Sequence, residues 1–305
     1  MSHGVVHPAL VGSRPLAIAH RGGSALMPEN TLAAFDHATA LGVDAVELDV
    51  RLARDGTVVV HHDATLDRTT DATGPLARFT AAELERVDAA WHFGSDAGFP
   101  ERDRGYGVPR LQTVIERYPE MPFIVELKGQ DPRLAVAAVG EARELAALDR
   151  LCFGGFARAT LLAARALGED VATSATRNET RWALYRSRLG LAPSRPAYRA
   201  FQVPEMAGRT RVVSARFVAA VHRAGIPVQV WTVDTEADMR RLLALGVDGL
   251  ISDRPDVAVP TVRAMAASPL SLEPVPGPSR ATARSTSDRT SGTSAADLGR
   301  RDSRG

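Results

Sequence analysis

Charged residues fall at the ends of apolar, strand-like runs in four places: "AHRGG" at 19–23, "VELDV" at 46–50, "VVVHHD" at 58–63 and "VELKG" at 125–129. Side chains alternate along a strand, so Glu47 and Asp49 project to one face, and Glu126 and Lys128 likewise share a face. Three carboxylates from two strands make an oxygen site of the kind that takes a hard divalent cation: Mg²⁺, Ca²⁺ or Mn²⁺. A single acid at a strand end is most often solvated or paired with an arginine, and it is the second pair that favours a site. Lys128 is the only lysine in the chain, whose Lys and Arg together number 37.

His20 closes the first of these runs, and His61 and His62 close the third. A lone histidine is usually a satisfied structural group, but two that each follow an apolar strand suit an acid/base pair. Alternation alone does not choose between His61 and His62. Arg21, beside two glycines, can cap a helix or pair with Glu29, and is also placed to meet a phosphate through its planar guanidinium. "PENT" at 28–31 reads as a helix start capped by Asn30 or Thr31. Trp231 reads first as core and second as a substrate contact.

The elements that must position these groups alternate in type. Strands are expected at 16–19, 45–50, 57–61, 123–127, 151–154, 171–174, 200–203, 227–232 and 249–251. Helices are expected near 30–41, 111–118, 132–147, 157–167, 177–189, 214–224 and 235–245. "ALGVDAVELD" at 40–49 and "ALGVDGLISD" at 244–253 repeat a helix end, a glycine and a strand. "RALGEDVATS" at 165–174 and "HRAGIPVQVW" at 222–231 repeat the same joint, in which the glycine ends the helix in a left-handed conformation. Recurrent joints of this type favour βα units on a parallel sheet, and neither GxGxxG nor GxxxxGK[ST] opens a helix. The expected fold class is therefore α/β, a (β/α)₈ TIM barrel whose site lies at the C-terminal strand ends.

The totals agree with a small-molecule enzyme. With 305 residues, 45% of them hydrophobic, the chain can bury one large core, and a formal net charge of +1 gives no basic surplus for nucleic acid. Cys152, the single cysteine, excludes an internal disulfide and points to a reducing compartment, the cytoplasm. The N-terminal residues show neither a signal peptide nor a membrane span, so no stable membrane insertion is expected. Residues 1–13 read as an N-terminal extension, 14–266 as the barrel, about 70–109 as an insertion after the second strand, and 267–305 as a Ser/Pro/Arg-rich disordered tail.

The stretch "AHRGGSALMPENTLAAFDHATALGVDAVELDVRLARDGTVVVHHDATLDRTT", followed by "VPRLQTVIERYP", "FIVELKG", "VWTVD" and "GLISDRP", resembles the glycerophosphodiester phosphodiesterases over residues 14–258 or so. The resemblance implies a (β/α)₈ barrel that hydrolyses glycerophosphodiesters to glycerol 3-phosphate and an alcohol with one divalent metal ion. Matched by motif, its catalytic histidines fall on His20 and His62, its metal-binding acids on Glu47, Asp49 and Glu126, and its phosphate contacts on Arg21 and Lys128. The rival expectations are a phospholipase D-type enzyme acting on lysolipids or sphingolipids, a non-catalytic barrel that binds phosphodiesters, and an unrelated metalloenzyme with histidine ligands.

Overall fold

The apolar runs form strands whose side chains point alternately into a barrel and out towards helices. The computed structural model describes residues 7–194 and 196–267. The first part of the chain forms β1 (Leu16–His20), α1 (Leu32–Leu41), β2 (Ala45–Leu52), β3 (Val58–Val60), α2 (Ala81–Leu84), α3 (Leu111–Arg117) and β4 (Phe123–Leu127). It continues through α4 (Pro132–Glu144), β5 (Leu151–Gly154), α5 (Arg158–Ala166), β6 (Ala172–Thr173), α6 (Arg177–Arg188) and β7 (Phe201–Pro204). A hairpin of β8 (Met206–Ala207) and β9 (Thr210–Arg211) precedes α7 (Ala215–His222), β10 (Val228–Trp231), α8 (Glu236–Ala244), β11 (Gly249–Ser252) and α9 (Pro255–Ala267).

Parallel strands pair in the order β6–β5–β4–β2–β1–β11–β10–β7, and β3 lies antiparallel on β2. A parallel bridge between Ser174 and Ala200 closes the ring between β6 and β7, reinforced by Arg199 N–H donating to Thr173 O at 2.7 Å. This is the expected barrel. Leu16, Ile18, Ile124, Cys152, Ala172 and Ile251 pack its interior, and Ala9 and Leu10 belong to the same cluster. Gln229 Nε2 anchors that N-terminal segment by donating to Ala9 O at 2.8 Å. Burial pushes the Cys152 thiol up to about 12, so it is an inert packing group.

Strand positions match the sequence expectation to within a residue or two, because each short β-branched run is bounded by a turn residue. Gly42 ends α1 at φ 76°, and its N–H donates to Ala38 O and Thr39 O, as the repeated joint requires. Helix α9 was not anticipated: Pro255 and Pro260 fall within it, and proline lowers any helix expectation although Pro255 occupies the tolerant first turn. Between β3 and α3 the chain makes a long excursion with its own small core, where Leu66, Leu76, Leu84 and Val108 pack together. Ala267 ends α9, and the remainder of the Ser/Arg-rich tail lies outside the described residues, as do residues 1–6 of the N-terminal extension. No helix among the described residues is long and apolar enough to cross a membrane.

Candidate active site

Strand register brings the acids together. His20 pairs with Glu47 across β1 and β2, and Asp49 pairs with Glu126 across β2 and β4. Glu47, Asp49 and Glu126 each present one oxygen, all within 4.8 Å of one another. Asp49 is wholly buried and Glu47 nearly so. The Lys128 ammonium lies 3.0 Å from Asp49 Oδ1 and 2.9 Å from Glu126 Oε1, while Arg21 Nε is 3.2 Å from Asp49 Oδ2. Burial pushes the Asp49 carboxyl up, but the Lys128 and Arg21 charges more than reverse this and hold it below the usual range. For Glu47, burial and then the Asp49 charge outweigh the pull of His20 and Lys128 and push it up to about 8. Its Oε2 accepts from the Arg21 backbone N–H at 3.1 Å, whereas Oε1 is buried without a hydrogen-bond donor. An oxygen in that position calls for a cation or a proton, and three hard oxygen donors fit Mg²⁺, Ca²⁺ or Mn²⁺.

Two histidines flank this cluster, each held by a carboxylate. His20 Nδ1 is 2.6 Å from Asp253 Oδ1, and Ser24 Oγ donates to the same oxygen. Asp253 is tied in turn by its backbone N–H, which donates to Asp234 Oδ1 at 2.8 Å. A carboxylate only accepts, so Nδ1 carries the proton and Nε2, 3.8 Å from Glu47 Oε2, is left for chemistry. Burial lowers the His20 imidazole, but Asp253 and Glu47 outweigh it and leave it raised. His62 Nδ1 is 2.6 Å from Asp63 Oδ1, yet burial dominates there and the ring is lowered. Asp63 accepts from Arg68 Nε at 2.6 Å, Arg68 forks onto Glu29 at 2.7 and 2.8 Å, and Glu29 accepts from Arg21 at 3.0 Å. One chain of ion pairs therefore runs from His62 round to Asp49.

A cavity of about 890 Å³ opens over these groups, lined by His20, Arg21, Glu47, His62, Glu126, Lys128 and Trp231 among others. Asp49 is buried and does not line it. Trp231 is half-buried, packed edge-on against Phe156 at 5.7 Å between centroids. His61 turns away: it is buried, its Nε2 is 3.1 Å from Thr65 O, and it does not line the cavity. Arg21 does pair with Glu29, as the residues allowed, and still faces the cavity.

Residue-by-residue reading missed the groups that hold the others. Asp63 and Asp253 stood inside "VVVHHD" and "GLISDRP", and an acid beside a proposed catalytic histidine was the available signal. Asn30 was read only as a possible helix cap. Thr31 takes that role, accepting from Ala34 N–H at 3.2 Å, and Asn30, at φ 59°, donates to Asp49 Oδ2 at 2.9 Å.

Residues 20–257 match the model of the glycerophosphoryl diester phosphodiesterase family. The chain belongs to this family. A glycerophosphodiester phosphodiesterase of Caldanaerobacter subterraneus subsp. tengcongensis is 31% identical over 255 residues, covering 82% of this chain and 98% of that protein. One from Bacillus altitudinis is 30% identical over 247 residues, covering 79% and 95%. The crystal structure of an Agrobacterium tumefaciens glycerophosphodiester phosphodiesterase shares 28% identity at a TM-score of 0.66, covering 80% of this chain and 99% of that one. An Oleispira antarctica phosphodiesterase, solved with the product sn-glycerol-3-phosphate, shares 27% identity at a TM-score of 0.66 over 82% of this chain and 97% of that one. This family member is accordingly a phosphodiester-hydrolysing enzyme.

Proposed function

We propose that the enzyme cleaves glycerophosphodiesters to sn-glycerol 3-phosphate and an alcohol, with one divalent cation and with His20 and His62 as its proton carriers. The observation that carries this reading is the pair of carboxylate-held histidines flanking a cluster of three acids, Arg21 and Lys128, all but the buried Asp49 lining one cavity. The product held by the Oleispira antarctica relative supports the substrate class.

Glu47, Asp49 and Glu126 would hold the cation, which when bound supplies positive charge against the phosphate oxygens. Arg21 and Lys128 add cationic donors at the same wall, where a phosphodiester anion otherwise repels any incoming nucleophile. His62, lowered by burial, is neutral near pH 7 and takes a proton from the nucleophile, which is water or the substrate's own glycerol hydroxyl; the hydroxyl route gives a cyclic phosphate that water opens to glycerol 3-phosphate in a second step. His20, raised by Asp253, holds a proton and gives it to the departing alkoxide. The proton count balances, since one ring gains what the other loses, and exchange with solvent resets both. Asp63 and Asp253 fix each ring at Nδ1 so that Nε2 faces the reaction. The single, buried Cys152 suits the reducing cytoplasm.

A coupled assay of sn-glycerol 3-phosphate release from glycerophosphocholine, glycerophosphoethanolamine and glycerophosphoglycerol tests the reading. Turnover of at least one supports it; binding without release from any of them would make the chain a non-catalytic barrel.

A further inference from the structure

The cavity extends well beyond the catalytic cluster. At about 890 Å³ it is near the top of the range for small-molecule sites, roughly 300–1,000 Å³, and larger than a glycerol phosphate requires. Its far wall is α6, which turns Arg177, Arg181, Leu184, Tyr185 and Arg188 towards the space. The three arginines are four and seven residues apart, so they share one stripe of the helix, about 16 Å long at 1.5 Å per residue.

Charge on this wall is one-sided. None of the three guanidiniums has a carboxylate at ion-pair distance among the described residues, whereas Arg21, the other arginine lining the cavity, meets Glu29 and Asp49. Glu179 on α6 and Glu205 after β7 are engaged elsewhere: Glu179 pairs with Arg165 at 2.7 Å, and Glu205 pairs with Arg211 and Arg241, both at 2.7 Å. Among the described residues, the only acids lining the cavity, Glu47 and Glu126, belong to the candidate catalytic cluster. Arg177 sits over Phe156, its Cζ 4.4 Å from the ring centroid, a cation–π contact that restrains the guanidinium and leaves its N–H groups without an acid partner. A row of unneutralised planar donors opposite the scissile site is complementary to phosphate oxygens and repels a cationic head group.

Building on the proposed function, we infer that the preferred substrates are glycerophosphodiesters whose second alcohol itself carries a further phosphate, as a monoester or diester, which the α6 arginines receive. The chemistry is shared by small phosphorylated alcohols and by short poly(glycerol phosphate) pieces. Phe156 spans the gap between the two groups, its ring centroid 5.8 Å from Lys128 Nζ and 4.4 Å from Arg177 Cζ, so a second anion can meet the first arginine of the stripe while the first phosphate sits at Arg21 and Lys128.

The test compares kcat/KM within matched pairs at low ionic strength: glycerophosphoglycerol against bis(glycerophospho)glycerol, and glycerophosphoinositol against its 4-phosphate. The expected result is a gain on the order of 10-fold for the phosphorylated member, mostly in KM, shrinking as salt is added. A gain in the first pair alone assigns the subsite to chains of phosphodiesters, and in the second alone to phosphorylated alcohols. In Arg177→Gln/Arg181→Gln/Arg188→Gln the gain should vanish while glycerophosphoglycerol turnover stays within about twofold of wild type. Equal kcat/KM within both pairs, or a gain that survives the triple substitution, overturns the inference and leaves the phosphodiesterase reading standing. Release of glycerol 3-phosphate from none of the four substrates would instead overturn that reading and this one with it.

Discussion

The Lys128 ammonium lies 3.0 Å from the buried Asp49 carboxylate, across the β2–β4 pair, and its side chain is only 12% exposed. Glu126, two residues earlier on the same strand, meets it at 2.9 Å. A compact ammonium fits between two acids that also present oxygens to the proposed cation; a guanidinium is broader and planar and would displace one of them. Lys128→Arg is therefore expected to keep the fold and lose turnover by roughly 10- to 10³-fold, the scale of one lost transition-state charge contact. Measuring kcat and KM for Lys128→Arg beside Lys128→Ala checks it; wild-type kinetics in the arginine variant would mean that charge alone suffices.

His20→Ala and His62→Ala should each cost about 10²- to 10⁴-fold in rate if both rings transfer protons, and His61→Ala far less. The pH profile carries the signs. With His62 as the proposed base, lowered from 6.5, kcat/KM should climb to its plateau below that value; with His20 as the proposed acid, raised from 6.5, the profile should fall above it. The plateau spans the ordinary histidine value. His62→Ala should remove the acid limb, and retention of that limb in the variant would place the titrating base elsewhere.

Most of the barrel was legible, because a short β-branched run with a glycine-terminated helix before it gives both the element and its direction. The candidate positions were legible for a related reason: two charged pairs at neighbouring strand ends are harder to explain as solvated or arginine-paired groups than one. What sequence concealed was second partners. Asp253 reaches His20 over 233 residues of separation, and no local spacing encodes that contact. Asn30 was hidden differently, since an Asn before a helix has an ordinary use that Thr31 in fact fulfils. The α6 arginines carry no local signal, and it is the cavity that sets them apart from a solvated helical face.

The turn after β1 depends on Gly22, at φ 84°, where an added Cβ would stand 2.7 Å from Ala34 Cβ and 2.8 Å from Phe35 Cδ1. Gly56 has nearly the same backbone, φ 83°, with nothing within 4 Å of the corresponding position. Gly56→Ala should cost about 1 kcal/mol from backbone strain alone, and Gly22→Ala a further 1–3 kcal/mol or so from overpacking. Urea unfolding of the two variants checks the difference; equal losses would show that α1 yields freely.

Glu141 on α4 is pushed up to about 7 by burial, and its Oε2 is buried without a donor. The unfolded chain ionises this group near 4.5, so the stability of the protonated form is complete below that pH and is lost as pH rises towards 7. Glu141→Gln should thus match wild type at pH 4.5 and melt higher at pH 8, by roughly 2–4 °C for about 1 kcal/mol in a chain of this size. Thermal melts at the two pH values decide it, and an equal shift at both would remove the titration from the explanation.

Glu47 Oε1 and its two acidic neighbours make metal dependence the central claim. The most direct measurement is the rate of sn-glycerol 3-phosphate release by protein stripped with a chelator, then dialysed and resupplied with Mg²⁺, Ca²⁺ or Mn²⁺, with bound metal quantified at each stage. The account predicts loss of turnover on stripping and recovery with at least one of the three ions at about one ion per chain, and neither metal uptake nor recovery in Glu47→Gln. Full turnover in protein shown to hold no metal would contradict it.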